Sequence, residues 1–467
     1  MDTKAMFGMV ETPDATAAEM VGLVQPAKRL VWLECGAGLG AIGAAILARD
    51  PTAARVDMVE VNPNAVAALH QRFPPHRWPN ARIVQADFLA TREDAEYDAV
   101  VANPPYNVGG AIKTPTNTEM DKRKDGRVVW RAFVERAVSL LRPGGQFVFL
   151  IPSAWLRDQG NPIYDLLIRA NTTLTIRCMS NTETNQLFRN QAQTPTCIVH
   201  GYKGTASSPS DAPLLQLNGT PIPRWLSHET PTLGLPTAHT AAFIALAERL
   251  RTEPSVAPLV IKTTHPRKGV TRSSTSTTTH THPNVRTCLL KKTRGLAKKT
   301  PILLLEYTDR PTKFQTAPYA GRPKLIMAHK MYGLPFFDAS GVYGVTNADS
   351  YVIFEPNDNV AKLRAIQETL LHPLSILTFD GMRYRMRFLE REAFDYVPLR
   401  GHDTKASNAL SLSLSLSLSF ALQEPDTQEP GTQEPGTQEP GTQEPGTQEP
   451  GTQEPGTQEP GTGTKNT

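Results

Sequence analysis

The feature that most constrains this chain is a regular alternation of short apolar strands with helices over its first ~200 residues. We place seven strands at residues 30–34, 56–61, 82–86, 98–102, 146–151, 174–178 and 196–202. We place helices at residues 15–24, 41–49, 65–73, 129–141 and 162–170. This alternation predicts an α/β fold, a Rossmann-like seven-stranded sheet that is mostly parallel and has helices on both faces.

The first predicted strand ends in a glycine-rich turn, WLECGAGLGAIG, that opens a helix. Gly36, Gly38 and Gly40 permit sharp turns and let a ligand approach the backbone closely. The helix that follows presents its first amide groups to such a ligand. A turn of this kind is as often purely structural as it is a binding loop, so the neighbouring strands decide its meaning.

Polar groups follow the next two strands. Glu60 ends the second strand, where a carboxylate can accept hydrogen bonds from both hydroxyls of a ribose. Asp87 and Phe88 follow the third strand and offer an acceptor for an adenine amino group and an apolar surface for its ring. Because the carboxyl ends of parallel strands meet at one edge of a sheet, these groups converge and predict an adenosine-containing ligand.

The fourth strand runs into Asn103-Pro104-Pro105-Tyr106. Prolines lack an N–H, fix φ and push the preceding residue into an extended conformation. The Asn103 side chain and the Pro104 carbonyl therefore form a rigid pair of acceptors that fits the two N–H bonds of a planar amino group. Tyr106 adds a ring on which a flat substrate can stack. NAD is the first ligand to consider for a glycine loop, but hydride transfer needs no such corner; a plain strand-ending turn with a surface tyrosine is the structural alternative.

With these residues the chain resembles the S-adenosylmethionine-dependent amino-group methyltransferases, in particular the TaqI-type (γ group) adenine-N6 DNA methyltransferases. The resemblance covers residues 10–20 (VETPDATAAEM), 33–40, 59–63, 86–89, 103–106 and 132–156. It implies that S-adenosyl-L-methionine is the cofactor and that the target is an adenine flipped out of duplex DNA.

The resemblance also implies roles for single residues. Asn103, Pro104 and Tyr106 would be catalytic and would hold the target base, with Thr12 and Glu34 near the methionine end of the cofactor. The cofactor-binding set would be Thr12, Glu34, Gly36, Gly38, Gly40, Glu60, Asp87, Phe88 and Asn103.

A second aromatic residue meets the flipped base in this family. Phe188, in NQLFRNQAQTPTCIV, fits by position, although Arg189 stands where a proline is expected. A base-stacking role and a core role for Phe188 are equally favoured.

Residues 205–400 predict a smaller, basic α+β domain. Residues 204–240 and the run SSTSTTTHTHP (273–283) are expected to be loops, with helices at 239–251 and 360–371 and strand-like segments KLIMAH, YGVTN and SYVIF. The segments 322–330 and 385–399 weakly resemble the family's target-recognition domain. Ten basic and no acidic residues lie between Glu253 and Glu306. We expect DNA contacts from Lys291, Lys292, Arg294, Lys298, Lys299 and Lys330.

Residues 401–467 predict a low-complexity, disordered tail. Eight QEP units repeat every five residues from Gln423, and a segment of this composition cannot bury a core. The chain has a formal net charge of +4, but the residues from Leu422 onward carry nine acidic and one basic side chain, which leaves +12 on the residues before them. A basic body of this kind favours a polyanionic partner. The predicted domains are therefore 1–204 (catalytic), 205–400 (target recognition) and 401–467 (tail).

The remaining composition narrows the classes of function. Four scattered cysteines without metal-ligand spacing predict reduced thiols and no metal site. Neither a secretion signal nor an apolar run long enough for a membrane span is found, so we expect a soluble intracellular protein, a monomer that binds duplex DNA. Methylation of adenine N6 in RNA, or of glutamine N5 in a release factor, stays open, because both are planar amino groups. A role in restriction–modification, with any nuclease on a separate chain, is also open.

Overall fold

The computed structural model describes most of the chain up to residue 396. The described residues are 10–27, 29–91, 96–108, 127–157, 161–169, 171–189, 194–204, 214–229, 234–252, 260–263, 269–290, 301–310, 317–329, 335–346, 350–384 and 389–396. All the described residues belong to one compact unit. The predicted tail, residues 401–467, lies outside the described residues.

Strands and helices alternate at the start of the chain, as the sequence pattern indicates. The strands are β1 Val31–Cys35, β2 Arg55–Glu60, β3 Ala81–Gln85, β4 Tyr97–Ala102, β5 Asn107–Val108, β6 Arg127–Val128, β7 Leu141–Pro152, β8 Asn171–Met179, β9 Thr196–Lys203, β10 Leu214–Leu217, β11 Thr220–Pro221, β12 Val260–Lys262, β13 Arg272–Ser273, β14 His282–Leu290, β15 Pro301–Thr308, β16 Lys324–Ala328, β17 Phe336–Asp338 and β18 Ser350–Phe354. The helices are α1 Asp14–Leu23, α2 Ala41–Arg49, α3 Pro63–Arg72, α4 Trp130–Ser139, α5 Pro162–Tyr164, α6 Asn181–Leu187, α7 Thr240–Thr252, α8 Val360–Leu371 and α9 Pro373–Gly381.

The main sheet has nine strands in the order β11-β10-β8-β9-β7-β4-β1-β2-β3. Strands β3, β2, β1, β4 and β7 run parallel, and β9 lies antiparallel between β7 and β8. The predicted Rossmann-like α/β fold is therefore confirmed. The chain order reverses at β1, between β2 and β4, and ligands bind at such a switch point, outside the carboxyl ends of the strands.

Both faces of this sheet are covered, which explains why its central strands read as continuous apolar runs. In β4, Val100 and Ala102 pack into the core on one face, and Ala99 and Val101 pack into the core on the other. Alternation of this kind requires helices on both sides of the sheet, and α1 packs against α2 on the second face.

The prediction that residues 204–240 form a loop was wrong. Strand β10 pairs in parallel with β8, and a hairpin turn at Asn218 and Gly219 leads back into β11. Both turn residues have positive φ (50° and 78°), as a two-residue hairpin with the Asn-Gly signal requires. The main sheet thus includes residues beyond 204, while the predicted domain boundary at 204/205 stays a prediction.

Two smaller sheets follow, with strand orders β12-β18-β16-β17 and β13-β15-β14. Residues 282–283, predicted as loop, begin β14, whose partner β15 holds them in register. The predicted strand YGVTN contributes one isolated bridge, between Asn284 and Gly344, because this segment turns back after the buried ion pair of Lys324 and Asp338 (2.6 Å). Among the described helices, none combines the length and apolarity that crossing a membrane needs.

Candidate active site

The carboxyl ends of the central strands open onto a cavity of about 550 Å³. This volume is typical of small-molecule sites. The cavity brings together side chains that lie far apart in the chain. The predicted site residues on its wall are Thr12, Glu34, Gly36, Gly38, Glu60, Asp87, Phe88, Asn103, Pro104, Tyr106 and Phe188.

The glycine loop forms one wall with its backbone. The amides of Gly36 and Ala37 donate to the Val59 carbonyl (2.9 and 3.0 Å), which ties the loop to the end of β2. Gly40 is the N-cap of α2 with φ 77°, and a Cβ there would lie 2.6 Å from Leu69 Cδ2. The predicted glycine turn is therefore present, and Gly40 supports the loop from behind the cavity wall.

Glu60 has a second function that its position in the sequence does not reveal. One carboxylate oxygen, Oε2, accepts from the Gly38 amide (2.8 Å), and Oε1 accepts from the amides of Val61 (2.9 Å) and Asn62 (2.8 Å). The carboxylate therefore holds the glycine loop in place on the same wall where the resemblance places the ribose. Its predicted contact with the ribose stays a prediction.

Asp87 and Phe88 lie next to each other at the end of β3. Asp87 is exposed, and its Oδ1 accepts from the Leu89 amide (3.0 Å). Phe88 is buried, with its ring 5.2 Å from that of Phe133, which also lines the cavity. The sequence pattern missed Phe133, because it lies in the apolar stripe of α4 and looks like any other core position.

Glu34 is a buried carboxyl group on the wall, and its pKa is strongly raised. It is 2% exposed, and its Oε2 has no hydrogen-bond partner among the described residues. Burial raises the pKa of Glu34 from 4.5 to about 8; the charge of Glu60 adds to this effect, whereas the Gly43 amide and Arg72 oppose it. At neutral pH this carboxyl group is therefore mostly protonated, and it is placed to bind a cationic or hydrogen-bonding ligand group.

Asn103 is held by the segment that precedes the first strand. Its Nδ2 donates to Thr12 Oγ1 (3.0 Å) and to the Val10 carbonyl (3.4 Å). Because a carbonyl can only accept, the nitrogen must face Val10, and Oδ1 points away from it. Oδ1 accepts no hydrogen bond from the described residues, so Asn103 presents a free acceptor on the cavity wall. Thr12 thus positions Asn103; its predicted place near the methionine end of the cofactor stays a prediction.

Tyr106 is a wall residue of the cavity and only 8% exposed, which excludes the alternative of a surface tyrosine. Its hydroxyl is buried without a hydrogen-bond partner among the described residues, and burial raises the pKa of this phenol well above its usual value. The corner also contacts the glycine loop, since a Cβ on Gly36 would lie 3.4 Å from Pro105 Cδ. The two sequence motifs therefore form one site.

Phe188 fits both readings of the sequence. It is 3% exposed and packs with Ala17 and Met20 in the core, yet it also lines the cavity. Its role at the base stays a prediction. The lysines and the arginine predicted to bind DNA lie outside the described residues: Lys291, Lys292, Arg294, Lys298, Lys299 and Lys330.

Comparison with known proteins places the site in context. Residues 2–156 match the family described as the methyltransferase small domain. The chain is 34% identical over 161 residues to the type II methyltransferase M.TthHB8I of Thermus thermophilus, covering 32% of this chain and 36% of that protein. It is 31% identical to the release factor glutamine methyltransferase of Moorella thermoacetica, covering 31% of this chain and 52% of that protein. It is 26% identical to the tRNA1(Val) (adenine(37)-N6)-methyltransferase of Aeromonas hydrophila, covering 38% of this chain and 76% of that protein.

The chain thus spans about a third to a half of the length of the first two relatives. Among solved structures, it is similar to a putative class I S-adenosylmethionine-dependent methyltransferase from Listeria monocytogenes, with 19% identity, a TM-score of 0.32 and coverage of 44% of this chain and 65% of that one. The strand order and the domain match together show the fold of the S-adenosylmethionine-dependent methyltransferases. The resemblance described in the sequence analysis predicts S-adenosylmethionine as the cofactor.

The residues present fit that cofactor. The glycine loop leaves room at Gly36, where a Cβ would project toward Pro105 and Phe133 on the cavity wall. Glu34 Oε2, which has no hydrogen-bond partner among the described residues, can accept from an ammonium group. The ligand carries a sulfonium and an ammonium group, and the wall is rich in carboxyl groups that complement both. These are Glu11, Asp14, Glu60 and Asp87, whereas Glu34, which is mostly protonated at neutral pH, offers a hydrogen-bonding group.

Proposed function

We propose that this protein transfers a methyl group from S-adenosylmethionine to the N6 amino group of an adenine flipped out of duplex DNA. The observation that carries the proposal is the orientation of Asn103. Its amide nitrogen is occupied by Thr12 and Val10, its oxygen accepts no hydrogen bond from the described residues, and Asn103 lines the same cavity as the glycine loop. A free acceptor beside a cofactor pocket is what an amino-group substrate requires.

The corner residues act by holding the substrate in place. When bound, S-adenosylmethionine supplies a methyl group on a positively charged sulfur. Asn103 Oδ1 and the Pro104 carbonyl accept the two N–H bonds of the amino group and fix the direction of its nitrogen. Because the prolines fix the backbone, this geometry exists before the substrate arrives, and little reorganisation is needed during the reaction.

Burial keeps the Tyr106 phenol and the Cys35 thiol protonated, so neither acts as a nucleophile or as a general base. Burial raises the pKa of the Tyr106 phenol, so Tyr106 stays neutral and contributes its ring face for stacking. Burial likewise raises the pKa of the Cys35 thiol, which therefore stays protonated and is a structural residue next to Glu34. No covalent enzyme intermediate is needed.

Charge supports DNA as the substrate. The residues before Leu422 carry a formal +12, and the run between Glu253 and Glu306 is exclusively basic among its charged residues. Lys and Arg bind nucleic acid through its phosphates, independent of sequence. An amino group within a duplex is out of reach, so the adenine must leave the stack to enter the cavity.

RNA adenine N6 and release-factor glutamine N5 are the competing substrates, since named relatives act on tRNA adenine and on release-factor glutamine. The corner fits all three, because each substrate presents a planar amino group. The basic run and the two additional sheets that follow the main sheet favour a nucleic acid over a protein substrate.

A labelling experiment distinguishes the substrates. Purified protein is incubated with methyl-tritiated S-adenosylmethionine and, separately, duplex DNA of mixed sequence, total tRNA and release factor. We expect label in N6-methyl-2′-deoxyadenosine of the duplex. Label only in tRNA or only in glutamine would replace the proposed substrate, and no label in any of the three would overturn the proposed activity on these substrates.

Asn103→Ala tests whether the Asn103 side chain is the acceptor for the substrate amino group. This variant should lose methyl transfer while it still binds S-adenosylhomocysteine in calorimetry. Asn64→Ala is the matched control, because Asn64 is an exposed asparagine outside the cavity wall and its loss should leave turnover unchanged. An active Asn103→Ala variant would contradict the assignment.

A further inference from the structure

The cavity wall carries many carboxyl groups, so the carboxylate of the cofactor needs a separate cationic or N–H partner there. Among the described lining residues, carboxyl groups complement its sulfonium and ammonium groups, but its amino-acid end also carries a carboxylate. That anion needs a cationic or N–H partner in an acidic cavity. Two guanidinium groups line the wall, Arg72 and Arg189.

Arg72 lies beside the glycine loop. It is the last residue of α3, and its Nη1 donates to the Leu39 carbonyl, between Gly38 and Gly40, at 2.8 Å. Its Nη2 lies 3.8 Å from Asp14 Oδ1, at the start of α1. The guanidinium therefore lies between the glycine loop and the segment that holds Asn103.

Arg72 and Glu34 both line the cavity. The charge of Arg72 opposes the effect of burial on the pKa of Glu34. Arg189 instead follows Phe188, the predicted base-stacking residue, and has a φ of 48°. The two guanidinium groups thus belong to different parts of the wall.

The contacts of Arg72 leave donors for a ligand. A guanidinium has five N–H donors, and two of its nitrogens make the contacts named above. The pair with Asp14 joins side chains that are 39% and 87% exposed, and ion pairs in such surroundings are weak. A carboxylate that accepts two parallel N–H bonds from Arg72 would form a stronger, bidentate contact.

We propose that Arg72 binds the carboxylate at the amino-acid end of the cofactor and is a specificity-determining residue for it. The proposal rests on the proposed function only in that it takes the cofactor to be S-adenosylmethionine. Arg72 makes the cavity prefer a ligand with a free carboxylate, while Glu34 lies on the wall of the same cavity.

Calorimetry with two ligands tests this role without turnover. S-adenosylhomocysteine carries the carboxylate, and S-adenosyl-3-thiopropylamine lacks only that group. In Arg72→Gln we expect S-adenosylhomocysteine to bind roughly 10- to 100-fold more weakly, as the loss of a charge-assisted hydrogen bond predicts. Binding of the analogue should change by less than about twofold, because it has nothing for Arg72 to contact. Arg72→Lys should recover part of the lost affinity.

Arg77→Gln is the matched control, because Arg77 is an exposed arginine outside the cavity wall, and this variant should bind both ligands like the wild type. Equal weakening of both ligands in Arg72→Gln would mean that Arg72 only supports the loop, and unchanged binding of both would also overturn the proposal. If the wild-type protein binds neither ligand, the cofactor assumed in the proposed function is wrong. That result differs from the ones that would overturn the role of Arg72, which require binding by the wild type.

Discussion

Replacing Glu34 by glutamine should change how the stability of the protein depends on pH. A carboxyl group in an unfolded chain titrates near pH 4.5, whereas burial raises the pKa of Glu34 in the folded protein to about 8. Between these values the folded state binds one proton more than the unfolded state. Stability is therefore lost progressively as the pH rises from 4.5 to 8, and the loss is complete above 8.

The size of this loss follows from the pKa shift. Each unit of pKa difference corresponds to about 1.4 kcal/mol, so a shift from 4.5 to about 8 destabilises the wild-type protein by about 5 kcal/mol at high pH. Glu34→Gln is neutral at every pH and removes this loss. The variant should match the wild type near pH 4.5 and exceed its free energy of unfolding by up to about 5 kcal/mol above pH 8.

Urea unfolding of the ligand-free protein at pH 5, 6, 7 and 8.5 measures the difference directly. Glu368→Gln is the matched control for replacing a glutamate by glutamine, because Glu368 is exposed on α8 and lies outside the cavity wall. A difference between Glu34→Gln and the wild type that does not grow with pH would refute the reasoning.

Substitutions at three further positions test the loop, the stacking ring and a buried ion pair. Gly40→Ala should destabilise by about 2–4 kcal/mol in urea unfolding, because φ is 77° and the new Cβ would lie 2.6 Å from Leu69 Cδ2. Tyr106→Phe should retain kcat/KM, since the hydroxyl has no partner among the described residues, whereas Tyr106→Ala should lower it by roughly 5- to 150-fold as base stacking is lost. Lys324→Met should cost about 3–5 kcal/mol of unfolding free energy, because it leaves Asp338 buried without its cation.

Each of these changes has a matched control. Gly219→Ala shares the positive φ (78°) but meets nothing within 4 Å, so it should cost only about 1–2 kcal/mol of backbone strain. If Gly40→Ala costs no more unfolding free energy than Gly219→Ala, the clash with Leu69 is not the cause. If Tyr106→Phe lowers kcat/KM as much as Tyr106→Ala, the hydroxyl has a role in the reaction. Adding Asp338→Asn to Lys324→Met should restore part of the lost stability; no recovery would show that the unpaired charge is not the cause.

Local patterns were sufficient for most of the secondary structure around the site. The predicted bounds of α2 (41–49) and α8 (360–371) are those observed, and β1 to β4 differ from their predicted bounds by about one residue, as expected of strand ends. Apolar periodicity and turn residues are properties of short segments, so they can be recognised without the rest of the chain. Strands β10 and β11 were missed because a polar, proline-rich neighbourhood obscured the Asn-Gly hairpin signal.

Sequence patterns were sufficient to predict the alternating fold, the glycine loop, the acidic residues that follow the strands and the proline-stiffened corner at Asn103. How these parts act on one another depends on tertiary contacts. Three hydrogen bonds join residues that are distant in the sequence: from Asn103 to Thr12, from Gly38 to Glu60 and from Arg72 to Leu39. The raised pKa of Glu34 depends on burial by the whole cavity wall, a property that no local stretch of sequence contains.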